Sequence, residues 1–110
     1  MELYTSTIDY KSDDRLDITF CSNDPIGCIF SPTHSMVWGM QVSSTSIEDF
    51  TMLYNILLDK SYHLFKNTWE GVLSRERVVL VCYCKPTDFC HRFLLSNRLK
   101  TLGANYNGEI

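Results

Sequence analysis

Val78-Val79-Leu80-Val81-Cys82-Tyr83-Cys84 is a short, almost wholly apolar run late in the chain. A run of this length without polar alternation is the pattern of a strand covered on both faces, as in a parallel sheet. Lys85-Pro86-Thr87 must leave that strand, because proline donates nothing to a ladder. Thr87 or Asp88 can cap the next helix, whose apolar side is Phe89, Phe93, Leu95, Leu99 and Leu102 and which ends at Gly103. Asn105 to Ile110 then adds a short strand or covers an edge.

Upstream, Leu3 to Ile8 and Leu16 to Phe20 suit two strands joined by a polar turn, Asp9 to Arg15. Cys21 to Pro32 is rich in Ser, Asn, Asp, Pro and Gly and reads as a long irregular loop, hence a candidate site wall. His34 to Met40 suits a short helix. The strongest helical signal starts at the capping residue Ser46, with Glu48 and Asp49 in the first turn. Ile47, Phe50, Leu53, Tyr54, Leu57, Ser61, Leu64 and Phe65 then recur at helical spacing, with Tyr54, Tyr62 and His63 expected to pack rather than react. Trp69 to Leu73 adds another helical turn. Helices interleaved with strands predict an α/β fold: a small, mainly parallel sheet flanked by helices, as a single three-layer domain over residues 1–110.

Composition narrows the function classes. The chain has 110 residues, 45% apolar and 21% charged, which argues for one globular domain against disorder or a coiled coil. A formal charge of -3 supplies no field for duplex nucleic acid. No apolar run approaches the roughly 20 residues that cross a bilayer, so no membrane partner is expected. The opening MELYTSTIDYKSDD carries acidic residues where a signal peptide has basic and apolar ones, so a cytoplasmic location is expected. Cys21, Cys28, Cys82, Cys84 and Cys90 are odd in number and partly crowded together, which suits thiols in a reducing compartment rather than a disulfide framework.

The chemistry concentrates between Cys82 and Arg92. Residues two apart on a strand share a face, so Cys82 and Cys84 are expected to point the same way. Cys90, His91 and Arg92 fall in the first turn of the following helix, where unpaired amides and an arginine fork favour an anion. The expected ligand is therefore a nucleotide-like or phosphorylated small molecule, in a pocket between the strand ends at Asp17 and Cys84. Arg92, Cys90 and Cys84 are its expected binding residues, with Ser31, Thr33 and His34 entering from the long loop. An enzyme version uses His91 as acid or base and Asp17 as its orienting carboxylate; a sequestering version holds the ligand unchanged.

The segment Val79-Leu80-Val81-Cys82-Tyr83-Cys84, followed by Phe89-Cys90-His91-Arg92 and the leucine-rich helix through Leu102, resembles the C-x-C, then C-H-R signature of the bacterial and phage family called domain of unknown function 488. Upstream, Asp17-Ile18-Thr19 sits where relatives have an Asp-x-Arg strand, and Phe30-Ser31-Pro32-Thr33 resembles the following loop. Trp69 precedes the final strand as it does in that family. The closing residues 103–110 resemble small phage-encoded members, which implies an anti-defence role in the host cytoplasm. Thr19 stands where many relatives carry arginine, so chemistry needing two arginines is not carried over.

Cys82, Cys84, Cys90 and His91 could supply four metal ligands, but the C-x-C-x5-C-H spacing is unlike common zinc knuckles, and adjacent helical residues diverge by about 100°. Structural thiols, no metal and no cofactor are therefore expected. Cys90, beside His91 and Arg92, is expected to be a more reactive thiolate than Cys82. The alternative function is a protein-binding inhibitor of a host enzyme, presenting a face with Trp38 and Tyr62. A homo-oligomer is compatible with either reading.

Overall fold

The computed structural model describes residues 1–84 and 89–110. The apolar run forms β3 (Arg77–Cys82), in which Val78 through Val81 are completely buried; Tyr83 and Cys84 have left the strand. Before it come β1 (Glu2–Thr7), β2 (Arg15–Asp17), a 3-10 turn at Gly27–Phe30, α1 (His34–Gln41), α2 (Ile47–Leu64) and α3 (Lys66–Leu73). After it come α4 (His91–Thr101) and β4 (Asn105–Glu109). The four strands are all parallel, in the order β2-β3-β1-β4.

The strand order dictates where the helices go. The chain moves one way across the sheet from β2 to β3 and from β3 to β4, and the other way from β1 to β2. Right-handed crossovers then place the first two connections, with the four helices, on one face and the connection 8–14 on the other. The core matches this: Leu3, Leu16, Val78 and Leu80 join Tyr54, Trp69 and Leu95 in one cluster. Val79 and Val81 face the opposite way and are equally buried. On that side Arg15, paired with Val79, donates to the carbonyls of Ile8 and Tyr10, so the connection itself is the third layer. β1 and β2 are thus not joined by a simple turn, as their short separation suggested, but lie parallel with β3 between them.

Ser46 caps α2 as its sequence implies, its hydroxyl accepting from the Asp49 amide. The buried stripe is Phe50, Tyr54, Leu58 and Ser61, narrower than the apolar periodicity predicted; Ile47, Leu53, Leu64 and Phe65 remain exposed. Helices on a single face of the sheet leave an outer side to α2 that no second layer covers. α4 starts later than the cap at Thr87 or Asp88 implies: Cys90 occupies its N-cap position, and residues 85–88 lie outside the described residues. Its inward side is His91, Arg92, Leu95, Ser96 and Leu99, whereas Leu102 is exposed.

The long segment 21–32 is tied down by its own turn residues. Ser22 Oγ donates to Asp17 O, Ser31 Oγ donates to Thr19 O, and Asp24 Oδ1 accepts from the amides of Ile26 and Gly27. Gly27 passes so close to the end of β2 that a Cβ there would lie 2.0 Å from the Asp17 carbonyl oxygen. Only glycine allows this approach, which presses the segment against the carboxyl end of the sheet. The radius of gyration, 13.1 Å, matches the roughly 13 Å of a compact chain this long. No helix among the described residues is long and apolar enough to cross a membrane.

Candidate functional site

A cleft of about 250 Å³ opens at the carboxyl ends of β2 and β3. Thr19 and Phe20 reach it from the end of β2, and Val37, Met40 and Gln41 from α1. Phe50 comes from the first turn of α2 and Phe89 from the segment before α4, while Cys82, Cys84, Cys90 and His91 form its floor. Parallel strands with helical crossovers bring these ends together from distant parts of the chain. A second hollow adjoins it, sharing Phe20, Val37 and Gln41 and adding His34, Ser35 and Trp38.

His91 organises the floor. Nε2 lies 2.5 Å from the Ile18 carbonyl oxygen, which can only accept, so the proton resides on Nε2 and Nδ1 keeps its lone pair. That nitrogen sits 3.8 Å from Cys82 Sγ and 3.8 Å from Cys90 Sγ. Burial holds the His91 imidazole below its ordinary pKa, with the Ile18 carbonyl opposing, so the ring is neutral near pH 7. Its face is held edge-on by Tyr54, whose hydroxyl donates to Phe30 O at 2.7 Å. Among the described residues, Cys82, Cys90 and His91 are the one cluster of three side chains placed to hold a metal, with ligand atoms within 4.8 Å of one another.

The three thiols share protons unequally. Hydrogen bonds from Cys82 and Cys90 draw the half-buried Cys84 thiol down to about 2, aided by His91 and Arg92. Cys90 is pushed far up by donating to Cys82 and Cys84 and by burial. Cys82 is also raised, chiefly through its hydrogen bond with Cys84. Burial stands against the expected reactive thiolate at Cys90, which has only 2% of its surface exposed, whereas Cys84 is the half-buried thiol of the three.

The backbone explains why spacing misjudged the cluster. Cys90 has φ -150° and ψ 145°, an extended residue ahead of the helix rather than a member of its first turn. The 100° divergence of helical neighbours does not apply, and Cys90 and His91 both turn toward Cys82.

Other expected site residues are placed differently. The Arg92 side chain has no exposed surface; Nε and one terminal nitrogen donate to the two oxygens of Glu109, each at 3.3 Å, and the other donates to Cys84 O at 3.0 Å. Its guanidinium also lies over the Phe93 ring. Arg92 therefore clamps the end of β4 to the segment after β3 and is not open to an anion. Asp17 accepts from the amide and hydroxyl of Thr19, and the acceptor that orients His91 is the Ile18 carbonyl. Ser31 bonds Thr19 O, and Thr33 caps α1 by accepting from the Met36 amide, so neither lines the cleft. His34 is exposed, packs edge-on to Phe20, and lines the adjoining hollow. Trp69 is wholly buried, and Tyr62 packs edge-on against it; Trp38 alone of the expected exposed aromatics stands out, at 63% exposure.

Sequence reasoning missed Phe20, Val37, Met40, Gln41 and Phe50 as cleft walls. Apolar residues at loop and helix starts look like core until the topology brings them together. Ile18 was missed because a backbone carbonyl leaves no mark in side-chain pattern. No family model, no curated protein and no solved structure matches the chain.

Proposed function

We propose that this chain is a nucleotide-like ligand-binding protein that sequesters its ligand in the cleft at the ends of β2 and β3. The observation that carries the reading is the cleft's wall of aromatic rings, Phe20, Phe50, Tyr83 and Phe89, above a floor of cysteines and His91. Rings of this kind accept the flat face of a base, a contact worth about 1–3 kcal/mol per base. The adjoining hollow, reached past Phe20 and edged by His34 and Ser35, is the place for the phosphoester end. This replaces Arg92, whose donors are taken by Glu109 and Cys84.

Sequestration is favoured over turnover because the His91 Nε2 proton is committed to the Ile18 carbonyl and the ring is buried. The C-x-C and C-H-R resemblance agrees with a phage-encoded protein acting in a host cytoplasm, and the five free cysteines suit a reducing compartment. Incubation with a panel of nucleoside mono- and diphosphates, followed by chromatography, tests it. One nucleotide should be retained and recovered intact, and Phe89→Ala should bind it about tenfold more weakly. Retention of none, or recovery of an altered product, would overturn the reading.

A second reading has its own observation. Trp38, Leu53 and Ile56 are exposed large apolar side chains on the outer sides of α1 and α2, which suits a protein-binding inhibitor of a host enzyme. Replacing Trp38 and Leu53 with serine would abolish partner binding under that reading and leave nucleotide retention untouched under the first.

A further inference from the structure

We propose that Cys82, Cys84, Cys90 and His91 form a tetrahedral Zn²⁺ site in the floor of the cleft. The inference stands on atoms other than the aromatic walls and holds whether or not a nucleotide binds above it.

Zinc bonds of about 2.1 Å to nitrogen and 2.3 Å to sulfur put tetrahedral neighbours roughly 3.5–3.8 Å apart. The Nδ1 to Cys82 and Nδ1 to Cys90 separations are both 3.8 Å, at the upper end of such edges, and all three ligand atoms lie within 4.8 Å of one another. Cys84 stands outside that three-residue cluster but lines the same cleft two residues beyond Cys82, and its half-buried side chain would turn inward to complete the set. Three sulfurs with one imidazole nitrogen is a structural zinc donor set, and its softness disfavours magnesium or calcium.

The surroundings are those of a ligating histidine. Such a residue donates its second ring N–H to a fixed acceptor, which sets the tautomer and aims the free lone pair. Ile18 O plays that part, and the end of β2 that carries it is anchored by Ser22 and Ser31. Arg92 holds the Cys84 carbonyl, fixing the backbone of the fourth ligand. The sulfurs, by contrast, have no strong partners: the described contacts of Cys82 and Cys90 with nitrogen are at 3.8–3.9 Å. Convergent, buried and weakly satisfied thiols beside an imidazole lone pair are what a metal ion saturates.

The test uses the full chain, reduced, stripped with chelator and titrated with Co²⁺ in the absence of oxygen. One equivalent should produce near-ultraviolet thiolate-to-cobalt charge-transfer absorption and intense visible bands of tetrahedral cobalt, and Zn²⁺ should bleach both. Cys84→Ser, at the half-exposed rim, should keep the fold by circular dichroism, lose part of the charge-transfer band and bind at least about tenfold more weakly. His91→Gln should likewise weaken binding, while Cys21→Ser with Cys28→Ser, at two exposed positions outside the cluster, should leave the spectrum unchanged. Absence of the thiolate band at one equivalent in the wild type would overturn the site. So would a folded Cys84→Ser protein that binds as tightly as wild type, or loss of the spectrum in the Cys21 and Cys28 double variant.

Discussion

Two buried polar regions lie on the helical face of the sheet, and they are finished in opposite ways. Beneath α2 and α3, Trp69 Nε1 donates to Ser61 Oγ at 3.0 Å, Ser61 Oγ donates to Ile29 O at 2.8 Å, and Tyr54 Oη donates to Phe30 O at 2.7 Å. Each donor there has a strong acceptor, and the network pins α2 and α3 to the segment before α1. At the end of β3 the imidazole has one such bond, but the contacts of Cys82 and Cys90 with its nitrogens are long, at 3.8–3.9 Å. Among the described residues no buried side-chain nitrogen or oxygen lacks a partner, but the partners of His91 Nδ1 are only thiols at 3.8 Å, so spare ligating capacity gathers at this cluster. Saturation builds scaffold, whereas the unsaturated cluster sits where the cleft can reach it.

Arg92, which ties the backbone beside the cluster to β4, should give the largest effect. Arg92→Ala removes one side of a buried ion pair and frees the Cys84 carbonyl, a loss on the order of 3 kcal/mol. Urea unfolding checks this, and a loss below about 0.5 kcal/mol would mean that Arg92 does not clamp β4 to the cluster. Ser61→Ala comes next. It strands the Trp69 indole N–H and the Ile29 carbonyl inside the core, at a cost of about 1–3 kcal/mol, and should leave cobalt or zinc binding unchanged. A Ser61→Ala protein as stable as wild type would show that the scaffold network is less saturated than its distances imply.

A smaller effect is expected from pH. Because the folded His91 pKa lies below its unfolded value near 6.5, the unfolded chain takes up a proton that the folded chain refuses as pH falls through that range. The histidine's contribution is therefore present at neutral pH and declines below about pH 6.5. The stability of wild type relative to His91→Gln should shrink between about pH 7.5 and pH 5, and a difference that stays constant would contradict a buried neutral imidazole. The subtlest readout is alkylation at neutral pH. Exposed Cys21 and Cys28 and the rim thiolate Cys84 should be labelled before Cys82 and Cys90. Early labelling of Cys90 would restore the thiolate assignment that its neighbours in sequence suggest.

The same contrast explains what could be read from the chain alone. β3 was legible because burial on both faces leaves an unbroken apolar run, and the start of α2 because Ser46 caps it in a local pattern. The path from β1 to β2 was not, since a short polar link looks alike whether it turns back or crosses a third strand. The position of the candidate site, at the ends of β2 and β3 beside α4, was visible in the grouping of Cys82, Cys84, Cys90 and His91. Its geometry was not, because it turns on one extended residue, Cys90, and on one backbone acceptor, Ile18. Arg92 misled for a related reason: its partner Glu109 lies seventeen positions away on the edge strand β4, and local sequence shows only an arginine at a helix start.

The contrast between a saturated scaffold and an unsaturated cluster is tested most directly by thermal unfolding of the reduced, chelator-stripped chain with and without Zn²⁺. A ligand that binds only the folded state adds about 2.7 kcal/mol at one hundred times its Kd, so Tm should rise by several degrees with zinc. The rise should persist in Ser61→Ala, from a lower starting Tm, and vanish in Cys90→Ser. A wild-type Tm indifferent to Zn²⁺, or an equal rise in Cys90→Ser, would contradict the account.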